Sequence, residues 1–342
     1  MQEEFYIKRC LELAKKALGN TYPNPLVGSV IVHNGIIIGE GYHHKAGENH
    51  AEINAIQSVK DKSLLPESTI YVSLEPCAHF GKTPPCALKI KELGFKKVVI
   101  GAMDSHDKVN GKGKKIIEDT GIEVISGVLE KESIELNKRF FTFHQKKRPF
   151  IILKWSESAD QFIDKDFKPY SISNKMVNQF VHQLRADEHA ILVGTNTALK
   201  DNPSLTVRNV EGKNPIRVLI DFDLKVPKDF QIFNAEAETI IINTIKNEVE
   251  NHLTYIQIEK QNFLPELMKA LHEKQIQSII IEGGKIMLQQ FIDVELWDEA
   301  IVIKNENLTL IHGTKAPILN KKPSNIEILR DNHIEFYKNP TN

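Results

Sequence analysis

Three short stretches hold the residues best suited to chemistry: His50-Ala51-Glu52, Pro76-Cys77 and Pro84-Pro85-Cys86. One imidazole and two thiolates suit a catalytic zinc ion, which takes three protein ligands and keeps its fourth position for water. His50, Cys77 and Cys86 are the candidate ligands. Glu52 is left free to carry protons. In such sites the metal makes hydroxide available near neutral pH, and the glutamate passes a proton to the amino group that leaves as ammonia. Eight residues separate Cys77 from Cys86, whereas the usual zinc-deaminase signature has two between its cysteines. A lone H-x-E carries little information. Its joint occurrence with two cysteines, each preceded by proline, is far more specific. The competing arrangement is a closed structural zinc site, for which His79 is the nearest fourth ligand.

The surrounding sequence supplies elements that can hold these groups. Residues 27–32 and 36–39 are β-type runs joined through Asn34-Gly35, the favoured two-residue hairpin turn. Residues 69–74 form another strand, ending just before Cys77. Ala51, Ile53, Ala55, Ile56 and Val59 have helical spacing, which places His50 and Glu52 at a helix N-terminus. Pro84-Pro85 starts the helix that carries Cys86. Two helix N-termini then face the metal, and their positive ends favour thiolate and hydroxide.

Asn24-Pro25-Leu26-Val27-Gly28, Gly41-Tyr42-His43, His50-Ala51-Glu52 and the run from Leu74 through Cys77-Ala78-His79-Phe80-Gly81-Lys82-Thr83 to Cys86 together resemble the bifunctional riboflavin-biosynthesis deaminase/reductase family. The resemblance implies a cytidine-deaminase-like α/β/α first domain. The substrate it implies is a diaminopyrimidinone carrying ribose 5-phosphate, derived from GTP. Asn24, His43, His79, Lys82, Thr83 and Asp104 would be its contacts, and a phosphorylated substrate needs a cationic partner such as Lys82. One loop departs from the family pattern: after Asp104 the usual Pro-Asn-Pro is replaced by Ser105-His106-Asp107.

At 342 residues the chain exceeds the usual single-domain size, so two domains are expected. The boundary is placed near residues 142–150, where a helix containing Glu132, Leu136 and Phe140 gives way to a basic polar stretch ending in Pro149. This assigns 1–145 to a pyrimidine deaminase domain and 150–342 to a reductase domain. The formal net charge is −1. A protein that tracks nucleic-acid phosphates normally carries a basic face, so no nucleic-acid partner is expected. Of the three cysteines, two are assigned to zinc and Cys10 falls on an amphipathic first helix as a core residue. With no charged-then-apolar leader and no long apolar span, a cytoplasmic protein without membrane contact is expected, where thiols stay reduced. Closed homo-oligomers are common, so a dimer or tetramer is the base expectation.

In the second half, residues 150–153, 190–194, 216–220, 239–243, 278–281 and 300–303 are short β-branched runs alternating with helical ones, which describes an α/β sheet. No Gly-x-Gly-x-x-Gly fingerprint is present. His182-Gln183-Leu184-Arg185-Ala186, Asp201-Asn202-Pro203-Ser204-Leu205-Thr206-Val207-Arg208, Pro215-Ile216-Arg217-Val218 and Glu282-Gly283-Gly284 resemble the reductase domain of the same family. The resemblance implies a dihydrofolate-reductase-like α/β fold that uses NADPH. Arg185, Leu205, Arg208 and Glu282 would contact the phosphoribosyl substrate, and Thr197, Asp201, Gly283 and Gly284 would lie against the cofactor. Lys154 and Asp201 are expected as a proton-managing pair beside the reacting carbon. Three departures fall here. Gln161 stands where the family has glycine, Ser171 where it has a tryptophan near the cofactor, and 305–313 lacks the usual Pro-x-Leu-x-Gly-Gly run. Two other readings stay open: a second domain that serves only binding or assembly, and a nonenzymatic module with zinc closed by His79.

Overall fold

A computed structural model describes residues 2–80, 84–104 and 110–340. Lys82 and Thr83 lie outside the described residues, as do Ser105, His106 and Asp107. The chain divides into two compact units, Met1–Lys146 and Lys147–Asn342.

The first unit runs α1 (Gln2–Lys15), β1 (Gly28–His33), β2 (Ile36–Tyr42), α2 (Ala51–Ser58), β3 (Thr69–Leu74), α3 (Cys86–Leu93), β4 (Lys97–Ala102), α4 (Lys112–Glu118), β5 (Glu123–Ser126), α5 (Glu130–Leu136) and α6 (Lys138–Lys146). Among the described residues the strands form one sheet in the order β2-β1-β3-β4-β5. The β1–β2 hairpin turns through Asn34 and Gly35, whose φ values of 48° and 78° are those of a type I′ turn. Period-two alternation makes the unit three-layered. Val30, Val32, Tyr71 and Val99 face Tyr6, Ile7 and Cys10 of α1, while Ile31, Ile70, Val72 and Ile100 face Ala55 of α2 and Ile90 of α3.

Two expectations are corrected here. The single helix through Glu132, Leu136 and Phe140 is broken at Asn137, whose buried amide accepts from the Leu26 N–H at 2.8 Å and donates to the Leu26 carbonyl at 2.9 Å. The stretch expected as a polar linker stays helical to Lys146, because its charges lie on one face while Phe140, Phe141 and Phe143 are buried on the other. The chain turns at Lys147, with φ at 55°. Arg148 is no linker residue either. It is buried in a two-pronged pair with Asp298 at 2.6 and 2.9 Å.

The second unit runs β6 (Phe150–Ser158), α7 (Lys175–Asp187), β7 (Ala190–Gly194), α8 (Thr195–Asp201), β8 (Ile216–Ile220), β9 (Thr239–Asn243), β10 (Glu248–Glu250), β11 (Leu253–Gln257), α9 (Phe263–Glu273), β12 (Ser278–Ile281), α10 (Lys285–Asp293), β13 (Glu299–Asn305), β14 (Asn325–Leu329) and β15 (Asn332–Lys338). The sheet order is β10-β11-β9-β8-β7-β12-β6-β13-β15-β14. From β11 to β13 all neighbours are parallel. The isoleucine runs of β9 and β12 are buried on both faces, as parallel strands covered by helices require. Strand β6 is longer than its apolar run, because it pairs with β13 as far as Ser158↔Asn305. Its other neighbour, β12, stops at Ile281↔Leu153. That difference in length opens a notch at the carboxyl edge of the sheet, where open α/β sheets bind ligands.

Two candidate active sites

In the first unit His50 is the N-cap of α2, Cys86 is the first residue of α3 and Cys77 follows the end of β3. His50 Nδ1 lies 3.5 Å from the Sγ of Cys77 and 3.5 Å from that of Cys86. Zinc bond lengths of about 2.0 Å to nitrogen and 2.3 Å to sulfur at a tetrahedral angle put such donors roughly 3.6 Å apart, so the set fits a zinc ion. The Cys86 backbone N–H donates to Cys77 Sγ at 3.2 Å. The Cys77 thiol is held well below its usual range by the Cys86 thiol and by His50, which outweigh burial. Among the described residues three ligand atoms gather within 4.8 Å of one another, and His79 is not one of them. Glu52, one residue into α2, is 3% exposed. Burial and the negative charge of Cys77 push its carboxyl up to about 7, so it is poised to take and release a proton.

His43 packs edge-on to His50 with ring centres 5.4 Å apart. Its Nδ1 lies 3.0 Å from the Asn49 carbonyl, which can only accept, so Nδ1 carries the proton. Nε2 then accepts from the Asn24 amide at 3.0 Å. Burial lowers the pKa of His43 and keeps this neutral pattern. Asn24 and His43 are thus gathered beside the ligand set, while His79 is exposed. Asp104 is 7% exposed. It is tethered by a residue that sequence reasoning passed over: Glu75 accepts from the backbone N–H of Asp104, Gly111 and Lys114 at 3.3, 2.9 and 3.0 Å. Gly113 permits this contact, since a Cβ there would fall 1.9 Å from the Pro76 carbonyl.

The second unit holds a cavity of about 1170 Å³ at the notch. Lys154, Arg185, Thr197, Asp201, Leu205, Arg208, Glu282, Gly283 and Gly284 all line it. Lys154 forms its ion pair with Glu282 at 3.3 Å, and Arg185 reaches the same carboxylate at 3.2 Å. The register dictates this, because Leu153↔Ile281 brings Lys154 level with Glu282. Burial would raise the Glu282 pKa, but Lys154 and Arg185 together bring it down to about 2. Asp201 closes α8, its carboxyl raised by burial and by the charge of Asp164. Leu205 is buried with φ at 55°, a strained conformation of the kind that gathers at ligand sites.

The cavity also fits a nucleotide cofactor. Arg185 Nε is buried without a hydrogen-bond partner among the described residues, a donor left over for a bound ligand. The Gly284 N–H donates to Thr197 Oγ1 at 3.0 Å, and Gly283, at φ 133°, brings that turn so close that a Cβ would lie 3.1 Å from the same oxygen. Residues not anticipated from sequence, among them Trp155, Ser156 and His182, share the lining. Of the departures, Ser171 lines the cavity. Gln161 does not; it sits in a turn with φ at 63°, which explains why glycine suits that position.

A three-ligand zinc set with a buried glutamate in one unit, and a dinucleotide-sized cavity at a parallel sheet edge in the other, define a zinc-dependent deaminase joined to an NADPH-dependent reductase. The comparisons with known proteins agree. Residues 1–102 match the cytidine and deoxycytidylate deaminase zinc-binding region, and residues 149–308 match the RibD C-terminal domain. The riboflavin biosynthesis protein RibD of Aquifex aeolicus is 40% identical over 87% of this chain and 85% of its own length. That of Escherichia coli is 34% identical over 88% and 87%. The crystal structure of the diaminohydroxyphosphoribosylaminopyrimidine deaminase/5-amino-6-(5-phosphoribosylamino)uracil reductase of Thermotoga maritima superposes with a TM-score of 0.90, at 35% identity and 99% coverage of both chains. The chain belongs to this family of bifunctional riboflavin-biosynthesis deaminase/reductases. Among the described residues no helix is long and apolar enough to cross a membrane.

Proposed function

We propose that the two activities are divided between residues 1–145 and 150–342 and carried by the residues named below. In the deaminase half, His50, Cys77 and Cys86 hold zinc, which when bound lowers the pKa of water toward neutrality. Glu52 takes a proton from the attacking water and delivers it to the ring amino group, which departs as ammonia and leaves a carbonyl in its place. Asn24, His43, His79, Lys82, Thr83 and Asp104 bind the pyrimidine and its ribose phosphate. The observation that carries this reading is the triangle of donor atoms at 3.5 Å from His50 with Glu52 buried beside it.

In the reductase half, NADPH when bound supplies the hydride that converts the ribosyl group to a ribityl one. Thr197, Asp201, Gly283 and Gly284 contact the cofactor. Arg185, Leu205, Arg208 and Glu282 bind the substrate, the arginines meeting its phosphate. Lys154, paired with Glu282, and Asp201 exchange protons at the reacting carbon. Thiolate ligands require a reducing compartment, which supports a cytoplasmic enzyme, and closed symmetric assembly is the common state of such enzymes, so a homodimer or homotetramer is proposed.

The test is NADPH oxidation after supplying the diaminopyrimidinone ribosyl phosphate rather than its deaminated product. Only a chain with both activities consumes cofactor from that start. Glu52→Gln should abolish oxidation and ammonia release from this substrate yet leave reduction of the deaminated intermediate. Loss of both reactions in that variant would sink the division of labour proposed here.

A further inference from the structure

His182 lies three residues before Arg185 on α7, so the two side chains share a helix face. Both line the cavity, as does Arg208. The His182 residue is 6% exposed. The Arg208 backbone N–H donates to its Nδ1 at 3.2 Å, which places the proton of the neutral ring on Nε2. Nδ1 is thus spent on the chain, and Nε2–H is the donor that the ring has for the cavity it lines.

The groups around the imidazole are themselves held in place. Arg208 Nη1 bonds to Ser204 Oγ, and to Thr206 Oγ1 at 3.4 Å. The Ser204 carbonyl in turn accepts from the fully buried Arg217 at 3.5 Å. Arg185 gives Nη2 to Glu282 and keeps its buried Nε–H unpartnered among the described residues. The charges facing the imidazole are Arg185, Arg208 and Glu282, with the Thr206 carbonyl beside them. Burial and the two arginines lower its pKa, which keeps the ring neutral. Lys154, Arg185 and Arg208 set three cations against Glu282, and that excess of two positive charges suits a phosphate dianion. A neutral N–H then adds a directed bond to the anion without being repelled by the arginines.

We propose that His182 is the neutral third donor of the phosphate subsite, its Nε2–H meeting the 5-phosphate of the substrate beside Arg185 and Arg208. This rests on the reading of those arginines as the phosphate contacts. It makes His182 a discriminator between a phosphorylated substrate and the free riboside.

The test is steady-state reduction, by the zinc-loaded full chain, of the deaminated intermediate and of its dephosphorylated riboside. His182→Asn keeps an acceptor for the Arg208 N–H and removes the outer donor. It should lower kcat/KM for the phosphorylated substrate about tenfold relative to the riboside, through KM rather than kcat. His182→Gln, whose amide reaches further, should recover part of that loss. In the double variant His182→Asn/Arg208→Gln the loss should exceed that of Arg208→Gln alone. An unchanged ratio in His182→Asn, a double variant no worse than Arg208→Gln, or a raised KM for NADPH in place of the substrate's would each overturn the proposal. If Arg208→Gln itself treated both substrates alike, the phosphate reading of the arginines would fall instead.

Discussion

Glu75 is the residue whose replacement most directly tests how the deaminase site is held. It is 4% exposed and immediately precedes Pro76-Cys77. One oxygen accepts from Lys114 N–H, the other from Gly111 and Asp104. In Glu75→Gln the single remaining carbonyl oxygen can serve the Gly111 and Asp104 side, which turns the new NH2 toward the Lys114 N–H. One charge-assisted bond is lost and one donor is left facing another, a cost of about 2 kcal/mol. Glu75→Ala strands three donors and should cost about 4 kcal/mol. With a urea slope of about 2 kcal/mol per molar, the glutamine variant should unfold about 1 M earlier. The assay is urea unfolding of the zinc-loaded chain, followed by ammonia release and, separately, by reduction of the deaminated intermediate. Ammonia release should be lost at lower urea in both variants, in the order Ala before Gln, while reduction keeps its native profile. Equal midpoints for all three proteins would show that these bonds contribute nothing, and the reasoning would fail.

Lys154→Met should abolish reduction while ammonia release is unchanged, because Glu282 is left with Arg185 alone; a reductase rate near native would remove Lys154 from the chemistry. Gln161→Gly should raise the stability of the second unit by about 1 kcal/mol, since relief of left-handed strain exceeds the added unfolded-state entropy. A lowered urea midpoint for the second unit would contradict this. His189 is pushed down to about 4 by burial, and its Nδ1 accepts the Gln277 N–H at 3.3 Å. Between about pH 6.5 and 4 the unfolded chain binds the proton that the folded chain refuses, so stability falls as pH falls, by about 3 kcal/mol over that window. His189→Asn, which keeps an acceptor there, should flatten the dependence, as pH-resolved denaturation would show.

The sequence made the zinc site legible because each of its groups is fixed by its own neighbours. His50 and Glu52 open a helix with clear apolar spacing, and Pro85 caps the helix that begins at Cys86. Glu75 lay in the same quoted run, yet its role stayed hidden because its partners are backbone groups 29 to 39 residues further on. The buried strands of the second unit were readable from their β-branched runs. β11, β14 and β15 were not, because polar residues interrupt them near the ends of the sheet. Asn137 shows the same limit in the first unit, where a long-range bond to Leu26 overrides helical spacing.

The second site differs in kind, since register rather than local sequence composes it. Lys154 and Asp201 look like natural partners as residue types. The pairing of β6 with β12 sets Lys154 against Glu282 as well, while Trp155, the next residue, packs into the core on the opposite face. Shifting β6 by one residue would exchange the two, placing an ammonium in the apolar half and an indole against Arg185. The extra length of β6 beyond β12, held by its pairing with β13, therefore does more to define the reductase site than any contiguous motif. It also explains how Ser171 and residues 305–313 can depart from the family while the cavity keeps all nine expected lining residues.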